Sequence, residues 1–183
     1  MSTQVRRIFS PGAAGWRETA VLAVVAWLVP FLVHLIPWTG ARPLGVFLLP
    51  VFWTTLVAVY FYGARVGLAV GLVTPLMNLA LTGLPAWPMV GTMGLEVAAF
   101  ALVAAFMVRR WPGFWFAAPV AWVAAKALTI AVQWVVPAFH YADQPWSHLL
   151  RSTANGLTGL GMLTVINWLL VAFCPKAGVL EKE

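Results

Sequence analysis

Charge is the scarcest property of this chain. Asp, Glu, Lys and Arg make up 9% of its 183 residues, where soluble domains carry about 25%. Only five carboxylates occur, Glu18, Glu96, Asp143, Glu181 and Glu183, and general acid–base chemistry needs partnered titratable groups. No H-E-x-x-H, G-x-S-x-G or G-x-x-x-x-G-K-[ST] string is present. That removes the common zinc-hydrolase, serine-hydrolase and nucleotide-driven classes, so neither enzymatic activity nor a cofactor is expected. The single cysteine, Cys174, excludes an internal disulfide and supplies no metal-ligand set. The formal charge of +6 comes from basic residues scattered between apolar runs, not from a basic face, so nucleic acid is not an expected partner.

Apolar residues fill the room that charge leaves. They form 62% of the chain, with a mean hydropathy of +0.90. Six spans of about 20 residues, joined by short connections, use up the length. The expected fold is therefore an all-α integral membrane protein, a bundle of six transmembrane helices with no room for a soluble domain. The spans read Thr19–Pro37, Leu44–Tyr62, Val66–Leu81, Pro88–Val108, Phe114–Phe139 and Leu149–Phe173. Residues 1–18 make an N-terminal segment, 19–173 the transmembrane domain and 174–183 a tail. The Arg6-Arg7 pair faintly resembles a twin-arginine export signal, but no A-x-A-like cleavage site follows, so the first span reads as an uncleaved anchor.

Basic residues orient the bundle. With a cytoplasmic amino terminus, that side receives Arg6, Arg7, Arg17, Arg65, Arg109, Arg110, Lys176 and Lys182, and the other side only Arg42 and Arg151. This asymmetry predicts both termini in the cytoplasm of a multi-pass protein in a bacterial inner membrane. Trp16, Trp38, Trp87, Trp111, Trp115 and Trp146 sit near span ends, as an interfacial belt does. Lys126 belongs to neither side.

Polar residues inside the spans mark the candidate site, because a buried charge in lipid faces the protein interior. On the fifth span Trp122, Lys126, Thr129, Gln133 and Pro137 share a helical face. On the sixth, Arg151, Asn155, Thr158 and Met162 are spaced alike, and on the fourth Met89, Met93 and Glu96 form a shorter stripe. These stripes lie beneath the outer loops Trp38–Pro43, Thr82–Pro88 and His140–His148, which predicts an outward-opening pocket. Glu96 and Lys126 read either as ligand groups or as an ion pair joining two helices. Arg151 reads as a ligand group or as a snorkelling interface residue. Asn155 could equally be interhelical glue. Two cations near aromatic rings favour a ligand bearing a carboxylate or phosphate.

The stretch Tyr62–Glu96 has its own order. Gly63, Gly67, Gly71 and Pro75 recur every four residues, then Thr82-Gly-Leu-Pro-Ala-Trp-Pro88, then Met89, Met93 and Glu96. The glycines predict a smooth helical face for close backbone approach, and Pro75 a bend. This string, with Arg42-Pro-Leu-Gly-Val-Phe-Leu-Leu-Pro50 upstream, resembles the substrate-binding S components of energy-coupling factor (ECF) vitamin transporters, over roughly Gly40–Arg110. The resemblance implies a six-helix body that binds a small water-soluble vitamin or precursor. It also implies partnership with a transmembrane coupling subunit and two cytoplasmic ATPases, and release of substrate by toppling in the bilayer. Carried onto this chain, the family's pocket implies Trp87, Glu96, Lys126, Gln133, His140, Arg151 and Asn155 as substrate-binding residues. The first span has Ala20, Ala23 and Ala26 where the family has Ala-x-x-x-Ala, which leaves a solitary S component as an alternative. The competing class is a non-transporting six-helix scaffold of the MreD type.

Overall fold

A computed structural model describes residues 16–40, 44–83, 87–136 and 145–175, apart from the side chains of His34, Thr82, Pro88, Pro145 and His148. Among these residues the chain is all-α, with seven helices and no strand. They are α1 (Trp16–Leu35), α2 (Leu44–Leu48), α3 (Pro50–Tyr62), α4 (Ala64–Thr82), α5 (Trp87–Arg110), α6 (Ala117–Val135) and α7 (Pro145–Phe173). Five of them, α1, α4, α5, α6 and α7, are long and apolar enough to cross a membrane. Residues 1–15, which hold Arg6 and Arg7, Arg42, and residues 176–183 with Lys176 and Lys182 lie outside the described residues.

The second span departs from expectation. In place of one helix over Leu44–Tyr62, the chain forms α2 and α3 with Leu49 between them in the left-handed region, φ 56°. Pro50 accounts for the position: its ring disfavours helical backbone in the preceding residue, and it has no N–H to continue the ladder. As the first residue of α3 it is well placed, since that N–H has no helical partner anyway. The 13 residues of α3 reach only about 20 Å, so α3 is a shorter apolar helix than the five long ones.

The glycine string also divides. Gly63 is not on a helical face; it is the one-residue turn between α3 and α4, with φ 83°, and its N–H donates to the Val59 carbonyl at 2.9 Å. Gly67 and Gly71 are helical and do what their spacing predicts. A Cβ on Gly67 would strike Val59, and one on Gly71 would strike Val97 and come within 2.9 Å of Thr55 Oγ1. The backbone of α4 thus lies directly against α3 and α5. Pro75 lies within α4, which runs on to a left-handed Gly83 cap at φ 71°.

Helix α3 is the central post, touching α1, α4, α5 and α7, while α6 leans on α5 and α7. Its Phe52 meets Phe100 of α5 edge to face at 5.1 Å, and Leu56 and Val59 join a core with Val97, Ala101, Ala104, Ala118, Ala121 and Ala125. The alanines of α5 and α6 let those two backbones approach, the usual route to tight association where lipid offers no hydrophobic drive. Two hydrogen bonds tie one end of the bundle: Tyr60 Oη donates to the Cys174 carbonyl at 2.9 Å, and Asn167 Nδ2 to the Phe114 carbonyl at 3.1 Å. The helix-terminal basic residues Arg17, Arg65, Arg109 and Arg110 belong to this tied end. Arg17 and Arg110 stack over Trp16 and Trp111 at 5.6 Å. The predicted belt residues Trp16, Trp38, Trp87, Trp111, Trp115 and Trp146 are all exposed.

Candidate functional site

The site is built on the inward face of α6. Trp122, Lys126, Thr129 and Gln133 are 1%, 6%, 3% and 2% exposed, so the predicted stripe is a buried seam. It runs about 16 Å along the helix axis, with Trp122 nearer the tied end and Gln133 nearer the opposite end. Pro137, the last position of the predicted stripe, and His140, a predicted binding residue, lie outside the described residues.

Lys126 sits at the middle of the seam and reaches three ways. Its ammonium pairs with the Glu96 carboxylate of α5, donates to Ser152 Oγ of α7 at 2.5 Å, and lies over the Trp122 ring at 5.1 Å from the centroid. Glu96 is itself buried, one turn after the buried Thr92. Of the two readings left open for Glu96 and Lys126, the structure has the ion pair. It joins α5 to α6, and Ser152 extends the link to α7. Breaking such a pair strands a charge in an apolar setting, whereas the intact pair offsets much of its own desolvation cost.

Beside this closed cluster are polar atoms with no hydrogen-bond partner among the described residues. Trp122 Nε1, Thr129 Oγ1 and Gln133 Nε2 are all fully buried and unpaired. A buried polar group left unsatisfied costs about 1–3 kcal/mol, and native interiors carry few. Three of the six such atoms among the described residues lie on this one helical face.

The other predicted residues are placed differently. On α7 the inward face is Ser152, Gly156, Gly159, Leu163 and Asn167, not Arg151, Asn155, Thr158 and Met162. Arg151 and Thr158 are exposed, Met162 is 38% exposed and Asn155 is half-buried. Arg151 Nε donates to the Ser147 carbonyl of its own helix at 3.3 Å and is no part of the seam. The cause is steric. The Leu49 break between α2 and α3 needs a notch, and only glycines provide it: a Cβ on Gly159 would lie 2.8 Å from the Phe47 carbonyl oxygen, and one on Gly156 3.1 Å from the Trp122 ring. That fit turns α7 by one residue from the face its charged and amide side chains suggested. Ser152, which the sequence reading missed, follows from the same rotation; its signal is the spacing of Ser152, Gly156, Gly159 and Asn167.

Trp87 is 69% exposed and lines a separate, open groove of about 440 Å³ between α4 and α5, with Leu72, Pro75, Leu76, Val90, Gly91 and Gly94 among its walls. That groove is apolar throughout. Lys126 is not among its lining residues. Gathered at the seam are Glu96, Lys126 and Gln133 of the predicted set, with Trp122, Thr129 and Ser152 added. No family model, no curated protein and no solved structure matches this chain.

Proposed function

We propose that the chain is a membrane-embedded substrate-binding subunit of the ECF type, capturing a small water-soluble vitamin or precursor from outside the bacterial inner membrane. In this reading both termini are cytoplasmic, and release follows association with a transmembrane coupling subunit and two cytoplasmic ATPases. The observation that carries it is the seam on α6: an ion pair closed on itself, beside buried polar atoms that have no partner among the described residues. Interhelical glue would consume those atoms; a binding site keeps them free for a ligand. The discontinuous α2–α3 crossing beside the seam fits the same reading, since broken backbone at membrane depth is tolerated where it is buried in protein or lines a cavity. The glycine and proline string from Gly63 to Pro88 is the family-level support.

The test is chemical. The full chain is purified in mild detergent from cells grown in rich medium, denatured, and its released small molecules identified by mass spectrometry. The expected outcome is one vitamin-like compound near one-to-one stoichiometry. An empty protein that stays empty after vitamins are added would move the reading to a non-transporting six-helix scaffold.

A further inference from the structure

An ammonium group has three N–H bonds to give. The Lys126 ammonium already pairs with a carboxylate, donates to a serine hydroxyl and lies over an indole ring, so its charge is engaged without a ligand. Glu96 beside it repels one. Arg151, the other cation expected to attract a carboxylate or phosphate, is exposed and bonded within its own helix. Burying an anion here would mean desolvating it without a free counter-charge among the described residues, and that is costly.

Free hydrogen-bonding capacity lies elsewhere on the same face. Thr129 and Gln133 are four residues apart, about 6 Å along the axis, and are buried with Oγ1 and Nε2 unpartnered among the described residues. The Thr129 hydroxyl can donate and accept, the Gln133 Nε2 amide nitrogen donates, and neither carries charge. We propose that this pair, on the side of Lys126 away from the tied end, recognises an uncharged ligand group of the amide, ring-imide or hydroxyl type, and not a carboxylate or phosphate. The inference rests on the reading of the chain as a small-molecule binder and narrows its substrate class.

Calorimetric titration of the full chain in mild detergent with matched pairs tests it: nicotinamide against nicotinate, pyridoxine against pyridoxine phosphate, and riboflavin against riboflavin phosphate. The expected result is that the neutral member of at least one pair binds tenfold or more tighter than its anionic counterpart. Thr129→Val and Gln133→Leu each weaken that binding by tenfold or more, while Arg151→Gln leaves it unchanged. The empty Thr129→Val protein melts at or above the wild-type temperature, because the change removes an unpaired buried hydroxyl at nearly constant volume. A lower melting temperature together with unchanged binding would give Thr129 a structural role and overturn the proposal. Tighter binding of the anionic members would also overturn it while leaving the binder reading intact. No binding by any probe would remove the binder reading itself.

Discussion

Removing one member of a buried ion pair leaves the other as an uncompensated charge, and this asymmetry governs Glu96 and Lys126. Lys126→Met or Glu96→Gln alone is expected to lower stability by about 3–5 kcal/mol, read from denaturant melts of the detergent-solubilised protein. The double variant, with both charges gone, regains most of that loss. Additive losses instead would mean that the two side chains do not depend on each other. Glu96, Lys126 and Gln133 were legible in the sequence because a charged or amide side chain is conspicuous within an apolar run. Their pairing was legible only as one of two readings, since spacing along one helix does not say what the next helix offers. Ser152 was not legible: serine is unremarkable in a membrane helix, and the neighbouring Arg151 drew attention to a face rotated by one residue.

Helix α7 is where a face was misjudged and where single glycines can be set against each other. A Cβ on Gly159 meets the Phe47 carbonyl at 2.8 Å and Leu49 Cγ at 2.6 Å, whereas Gly161 has nothing within 4 Å. Backbone at the α2–α3 break cannot give way as a flexible side chain would. Gly159→Ala is therefore expected to cost about 1–3 kcal/mol through overpacking, while Gly161→Ala gains up to about 1 kcal/mol of helix propensity. Thermal melts of the two variants should shift in opposite directions, and equal shifts would remove the notch from the account. The long helices were legible from apolar run length, and α4 starts and stops within two residues of its expected span. The break at Leu49 was not. Pro50 was visible, but a leucine in the left-handed region is held there by tertiary fit to Gly156 and Gly159, and no local propensity signals it. Gly63 reads from sequence as part of a helical face because four-residue spacing looks the same whether its first member is in the helix or caps it.

For the molecule as a whole, the helix-terminal arginines Arg17, Arg65, Arg109 and Arg110 gather at the end where Tyr60 holds the Cys174 carbonyl. Cys174 is the only cysteine in the chain, so it is a ready marker for that end. If the tied end is cytoplasmic, a membrane-impermeant maleimide labels Cys174 in inverted vesicles and not in intact cells. Arg151→Cys in a Cys174→Ser background gives the reverse pattern; matching patterns would reject the proposed orientation. The gathering was legible because loop charge follows chain order, whereas the place of Trp87 on the α4–α5 groove depends on which face of α5 meets α4. The pairing of Glu96 with Lys126 also has an electrical side. A lone ammonium moved across a bilayer held at 100 mV gains or loses about 2.3 kcal/mol. Because the lysine is paired with its carboxylate, and the ligand proposed above adds no charge, translating the loaded site across the membrane would cost no net electrical work.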